Sequence, residues 1–310
     1  MLVPPVRRFP GTTFFFRGSA LQHVWPYLLV VLAISTTLTL HYQDWGFERF
    51  SLTTIPFSLV GLALSIFLGF RNNACYDRWW EARKLWGRLI NTTRSLARQT
   101  LTLVDAAPEE TEPMIRRVIG YTHALRAHLR REPIAPEVKP WLSEEDYQAL
   151  TDASIRPARV NLPIGLLEQM GRAYRDAWKA GKVHPWHVAL LESSLTELTD
   201  IQGGCERIKN TPVPLSYTIL THRIVAIYCL ALPFGIVNTV GSLTPIVVLI
   251  VSYAFLGLDS VGSQIEDPFE MDLNDLPLGA LSQTITIDLL QSVGAETLPP
   301  SPEAEGHVLM

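Results

Sequence analysis

Cysteine is scarce in this 310-residue chain, and no strong excess of either charge is present. Cys75, Cys205 and Cys229 are odd in number and far apart, so they predict neither a disulfide framework nor a zinc site. They indicate instead that most of the mass lies in a reducing compartment. The net charge of −4 lacks the basic excess typical of proteins that bind nucleic acid. Because motifs for a catalytic nucleophile, a zinc hydrolase and a phosphate-binding loop are also missing, the sequence gives an enzyme no support.

Long uncharged runs are few, and they cluster at the two ends of the chain. Four apolar segments cover about residues 24–40, 55–70, 217–238 and 242–258. Each is close to the ~20 residues that a membrane-spanning helix needs, although His222 and Arg223 interrupt the third. Buried core helices of a soluble protein would give a similar pattern, but an oligomer that shields some helix faces from lipid explains it better. We predict an all-α membrane protein with four transmembrane helices per subunit.

The distribution of basic residues predicts the topology. The N-terminal segment contains Arg7, Arg8 and Arg17 without an acid, and arginines from Arg71 onward follow the second apolar segment closely. Both termini are therefore expected on the cytoplasmic side of a multi-pass protein. The predicted organisation is a cytoplasmic segment at 1–23, two transmembrane helices in 24–70, a cytoplasmic helical region at 71–214, two further transmembrane helices in 215–258, a cytoplasmic acidic segment at 259–290 and a disordered tail at 291–310.

Proline positions predict where helices begin, end and break. No proline lies between Pro56 and Pro108, and the apolar stripe of the second span continues into the polar region, so one helix is expected to run to about Leu103. Further helices are expected at Leu162–Ala180 and Pro185–Asn210. Pro233 is expected to break the third span.

Leu62, Ile66 and Phe70 recur every four residues and therefore share one face of the second span. Ordinary helix packing or contact with lipid would produce the same stripe. A pore is favoured because small residues on the other faces permit close helix approach, and because the helix continues without a break into a polar region. Our hypothesis is that this face is the gate of an ion channel.

Two clusters of metal-ligand residue types stand elsewhere. Asp267, Asp272 and Asp275 supply the oxygens that Ca²⁺ prefers, or form a solvated loop that pairs with basic residues of another subunit. His184 and His187 stand three residues apart beside Pro185, where helix geometry gives a metal site little support.

The motif residues of this chain closely resemble the bestrophin family, in particular its bacterial homologues. The resemblance spans about residues 5–285, and three motifs recur in order: IFLGFRNNACYDRWW at 66–80, GCERI at 204–208 with Thr211-Pro212, and EDPF at 266–269. It implies a homopentameric channel in the bacterial inner membrane, with one central pore for permeant inorganic ions. No cofactor is required by this resemblance.

The resemblance also implies roles for individual residues. A hydrophobic neck corresponds to Leu62, Ile66 and Phe70, the face already identified, and a cytoplasmic constriction falls at Ala189. Asp272 and Asp275 match two aspartates with which animal members bind calcium. This chain departs from that calcium motif at Asp267-Pro268-Phe269, so calcium is possible but the resemblance alone does not predict calcium gating.

The class of permeant ion stays open between sodium and chloride. Animal members pass anions such as chloride, whereas bacterial homologues resemble cation channels. Five subunits at −4 each give roughly −20, which slightly favours cations such as sodium at the pore mouths. Arg71 and Arg78 would argue for anions unless they face neighbouring subunits. A secondary transporter and a membrane-anchored scaffold without flux remain alternatives to a channel.

Overall fold

Helices account for all the regular elements in the part of the chain that the computed structural model describes, namely residues 18–42, 53–151, 161–304 and 308–309. The predicted N-terminal segment and most of the connection after the first span lie outside these residues. An isolated antiparallel bridge joins Val104 to Val183. The helices are α1 Leu21–His41, α2 Thr54–Leu103, α3 Pro108–Arg130, α4 Ile134–Val138, α5 Glu144–Thr151, α6 Leu162–Lys179, α7 Pro185–Asn210, α8 Leu215–Val240, α9 Thr244–Ile265 and α10 Leu278–Ser292.

Three helical stretches in the described residues are long and apolar enough to cross a membrane. They are Leu21–His41, Thr54–Leu103 and Leu215–Ile265. The last stretch contains both α8 and α9, which a short 3₁₀ turn at Gly241–Leu243 joins. Gly241 has a φ of 62° there, a left-handed conformation that glycine adopts without steric cost.

The 50-residue helix α2 connects the two apolar cores of the chain. One core lies among α1, α2, α8 and α9, to which α2 contributes Leu64 and Leu68. The other lies among α2, α3, α6, α7 and α10, and α2 contributes Trp86, Leu89 and Leu96. At 1.5 Å per residue, α2 is about 75 Å long, so one rigid element connects the membrane-type core to the second core.

Several helix ends lie where the sequence predicts them. The ends of α2 at Leu103 and of α7 at Pro185 and Asn210 confirm the sequence predictions. Helix α6 begins after Asn161, whose side chain accepts a hydrogen bond from the backbone N–H of Ile164 at 3.4 Å, as an N-cap residue does.

Two expectations about helices need correction. Helix α8 runs through Pro233 without interruption, so the predicted break is wrong. Pro233 is buried, and a Cβ on nearby Gly235 would lie 2.3 Å from the Phe57 ring of α2. Neighbouring helices therefore hold this segment in place despite the missing N–H.

Helix α10 was not predicted, and it occupies the end of the acidic segment and the first residues of the predicted tail. Farther along that tail, the carbonyl of Pro300 accepts a hydrogen bond from Gln283 Nε2 of α10 at 3.2 Å.

Candidate functional site

The membrane-type part of α2 has one buried face and one exposed face. Leu64, Leu68, Arg71 and Cys75 point into the chain. Leu62, Ile66 and Phe70 are exposed at 63%, 51% and 65% of their surfaces. The three residues predicted to form the neck thus share an apolar stripe that the described part of a single chain leaves exposed.

Arg71 lies on the opposite side of α2 from this stripe and is fully buried. Its Nη1 donates hydrogen bonds to Asp259 Oδ1 at 2.6 Å and to the Asp259 carbonyl at 3.2 Å. Its Nη2 donates to Ser263 Oγ at 2.8 Å and lies 3.5 Å from Glu266 Oε2. The guanidinium is therefore neutralised within the chain by residues of α9 and its C-terminal end.

Asp259 binds a second group through its other oxygen. The Nδ1 atom of His222, in α8, is hydrogen-bonded to Asp259 Oδ2. This pair borders a cavity of about 480 Å³ between α1, α8 and α9, whose lining includes His23, Tyr27 and Ser260 as well as apolar residues. His222, one of the two polar residues that interrupt the third apolar segment, thus joins the network around the buried Arg71.

Close contact between α2 and α9 supports the same network. Asn72 Nδ2 donates to the carbonyl of Leu258 at 3.0 Å. A Cβ built on Gly262 would lie 2.3 Å from Asn72 Oδ1, so a side chain at this position would displace the Asn72 amide from its present position. The sequence signal for this contact was only a small residue at position 262.

Arg78, two turns beyond Arg71, joins α2 to the ends of α7 and α9. Its Nε donates to the carbonyl of Glu266 at 3.0 Å, and its Nη2 donates to the carbonyl of Ile208 at 2.8 Å. Its Nη1 donates to the carbonyl of Thr211. Terminal carbonyls of a helix lack intrahelical donors, and a cation suits the negative end of the helix dipole. Arg71 and Arg78 both bond within their own chain, which answers the question that the sequence left open about where they point.

The acidic segment after α9 is largely paired within the chain. Glu266 and Asp267 lie near Arg71 and Arg78, the latter pair at 3.9 Å, and Glu270 pairs with Lys209. Trp79 Nε1 donates to the carbonyl of Asn274 at 3.1 Å. These contacts hold the segment against α2 and α7. The acids that form them are paired within their own chain, rather than with basic residues of another subunit.

The two candidate calcium aspartates occupy different environments in one turn. The backbone N–H of Asp272 donates to Asp275 Oδ2 at 2.7 Å, and the N–H of Asp275 donates to the carbonyl of Asp272 at 3.0 Å. Asp275 is buried, whereas Asp272 is exposed. Within the described ranges, no three His, Cys, Asp or Glu side chains converge as metal ligands. His184 and His187 therefore belong to no such group there. The role of Asp272 and Asp275 in calcium binding stays a prediction.

Burial raises the pKa of Asp275 to about 7, and the charges of Asp272 and Glu270 add to this effect. The folded state therefore retains a proton that the unfolded chain releases, so this group loses stability as pH rises from about 4 to about 7. We expect the melting temperature of Asp275→Asn, relative to the native protein, to increase between about pH 5 and about pH 8. Thermal challenge followed by size-exclusion chromatography measures this difference. Glu145→Gln, an exposed acid in α5, is the control, and a difference independent of pH in Asp275→Asn would contradict the expectation.

Ala189, the predicted cytoplasmic constriction, is exposed on α7. Trp186 and Leu190, on the same side of that helix, are also exposed, at 80% and 50%. No residue in the described ranges covers this side of the first turns of α7. The assignment of Ala189 to a constriction stays a prediction.

Three comparisons relate the chain to known proteins. The model of the bacterial and fungal bestrophin proteins matches residues 1–291. A voltage-dependent anion channel-forming protein of Ralstonia nicotianae is 36% identical over 296 residues, covering 95% of each chain. The voltage-dependent anion channel-forming protein YneE of Escherichia coli K12 is 36% identical over 300 residues, covering 96% of each. A crystal structure of a bacterial bestrophin homolog from Klebsiella pneumoniae superposes with a TM-score of 0.81 at 34% identity, covering 88% of this chain and 98% of that one.

Proposed function

Because this chain belongs to the bacterial and fungal bestrophin family, we propose that it is a membrane ion channel. Its subunits form a homopentamer in the inner membrane, with both termini cytoplasmic and four spanning helices each: α1, the first part of α2, α8 and α9. The α2 helices surround the central pore. The exposed stripe of Leu62, Ile66 and Phe70 is the observation that supports this arrangement most directly, because it is apolar and uncovered.

Conduction through this pore is passive, and the stripe is its gate. Five copies of the three side chains enclose a narrow apolar sleeve, in which water and ions are less stable than in bulk. Such a constriction closes by dewetting and opens when a small increase in radius lets hydrated ions pass. The exposed Ala189 side of α7 lines a second constriction on the cytoplasmic side.

Some observations favour anions as the permeant ions, and others favour cations. The relatives from Ralstonia nicotianae and Escherichia coli are named as anion channel-forming proteins, which favours anions. The burial of Arg71 and the internal bonds of Arg78 remove the two cations nearest the stripe from its surface, which favours cations. We propose a cation preference, and an anion channel is the second candidate.

Reconstitution into planar bilayers under a NaCl gradient tests this function. A tenfold gradient gives a reversal potential of about 59 mV in magnitude for an ideally selective channel, and its sign differs between cation and anion channels. We expect discrete currents with a reversal potential of the cation sign. Saturable flux without discrete currents would indicate a secondary transporter, and no flux from correctly assembled protein would indicate a scaffold.

A further inference from the structure

Beyond the neck, the exposed stripe of α2 continues into polar residues. With about 100° between successive helical residues, Ile66 and Phe70 lie about 40° and 80° from Leu62, and Asp77 lies about 60° from it. Asp77 is exposed, as is Asn73 between them. Asp77 therefore lies within the neck face, between the directions of Ile66 and Phe70, about 10 Å along the helix axis from Phe70.

The neighbouring cations do not balance this carboxylate. On the same helical projection, Arg71 and Arg78 lie about 180° and 160° from Leu62. On that side of α2, Arg71 bonds to α9, and Arg78 bonds to the C-terminal ends of α7 and α9. Asp77 itself forms no ion pair with any residue in the described ranges. Its charge is thus directed away from the two arginines that flank it in sequence.

The next charges on this face are already paired. Lys84 Nζ lies 2.8 Å from Glu81 Oε2, and Arg88 Nε donates to Glu197 Oε1 at 2.9 Å. Among the described residues of this face, the first charge that an ion meets on the cytoplasmic side of the neck is the carboxylate of Asp77. It lies about one Debye length from Phe70 at physiological ionic strength, close enough to act on an ion entering the neck.

We infer that Asp77 is the residue that determines the ion preference of the channel. This inference rests on the proposed function, because five α2 helices around one pore place five Asp77 carboxylates in a ring. That ring attracts hydrated monovalent cations and repels anions beside an apolar constriction. A concave site of one sign next to low-dielectric walls raises the local concentration of counter-ions by about tenfold or more, while the apolar neck itself distinguishes poorly between signs.

Single-channel recording of Asp77→Asn under a NaCl gradient tests the inference. Asparagine keeps the shape of the side chain and removes the charge, so we expect the permeability ratio of sodium to chloride to fall about tenfold. Asp77→Glu should retain the native ratio, and Asp77→Lys should reverse the sign of the potential. Glu145→Gln removes an equivalent exposed charge from α5, which packs on α6, and should leave the ratio unchanged.

The possible outcomes separate this inference from the proposed function. Absence of current from native, correctly assembled protein would overturn the proposed function and the inference together. Native current with an unchanged permeability ratio in both Asp77→Asn and Asp77→Ser would overturn the inference alone, as would a native channel that already prefers chloride. Because the side chain is exposed, size-exclusion chromatography should show native assembly in all four variants.

Discussion

Replacing Leu62, Ile66 and Phe70 together by alanine should increase the single-channel conductance sharply. In the proposed channel the native side chains narrow and dry the neck, and alanine would widen it, which would lower the barrier to a hydrated ion. Each 1.4 kcal/mol of barrier that is removed multiplies the rate of passage by about ten. The substitution creates no cavity in the core of a subunit, because all three side chains are largely exposed.

Phe67→Ala is a matched control for this triple substitution. Phe67 is an exposed aromatic residue of the same helix, but it borders a groove between α2 and α8 with Val60, Ala63 and Tyr217. Its truncation should leave the conductance close to the native value. Unchanged single-channel current in the triple variant would show that these residues do not form the constriction.

Asp259→Asn should severely destabilise the protein. Breaking a buried ion pair by removing one partner costs about 3–5 kcal/mol, since the other charge stays buried. Here the loss is amplified because Asp259 binds both Arg71 and His222. Urea or thermal denaturation in detergent, followed by the loss of assembled protein in size-exclusion chromatography, measures the effect.

A neutral pair at the same two positions tests whether the cost arises from an uncompensated charge. We expect Arg71→Met combined with Asp259→Leu to destabilise less than the sum of the two single substitutions, because neither buried charge then remains alone. Lys84→Ala removes a partner from a partly exposed ion pair and should change stability by no more than about 1 kcal/mol. A cost for Asp259→Asn as small as for Lys84→Ala would contradict a structural role for the network.

Local sequence information was sufficient for the longest helices. The course of α2 to Leu103 and both ends of α7 could be predicted because prolines, apolar periodicity and polar boundaries coincide there. Pro233 misled the prediction because its local effect is overridden by packing around Gly235 and Phe57. Helix α10 escaped prediction because it contains several threonines and isoleucines, which have modest helix propensity. Its helix depends on the burial of residues such as Ile285 and Leu289 against other helices.

For the candidate site too, features set by neighbouring residues could be predicted from the sequence, whereas contacts between distant residues could not. The spacing of Leu62, Ile66 and Phe70 was enough to place them on one face of α2. All three side chains are exposed in the structure, and their role as a neck stays a prediction. The direction of Arg71 could not be predicted, since basic residues after a span indicate topology but do not identify a partner. That partner is Asp259, 188 residues away, and only the packing of α9 on α2 brings the two together.

That separation has a consequence for the order of biosynthesis. At about 5–20 residues per second, ribosomes complete Asp259 roughly ten to forty seconds after Arg71. Throughout this interval the guanidinium needs water or another temporary partner, because its eventual carboxylate has not yet been made. The interior around Arg71 can therefore close only after α9 has been synthesised, which makes the docking of α9 onto α2 a late step in the maturation of each subunit.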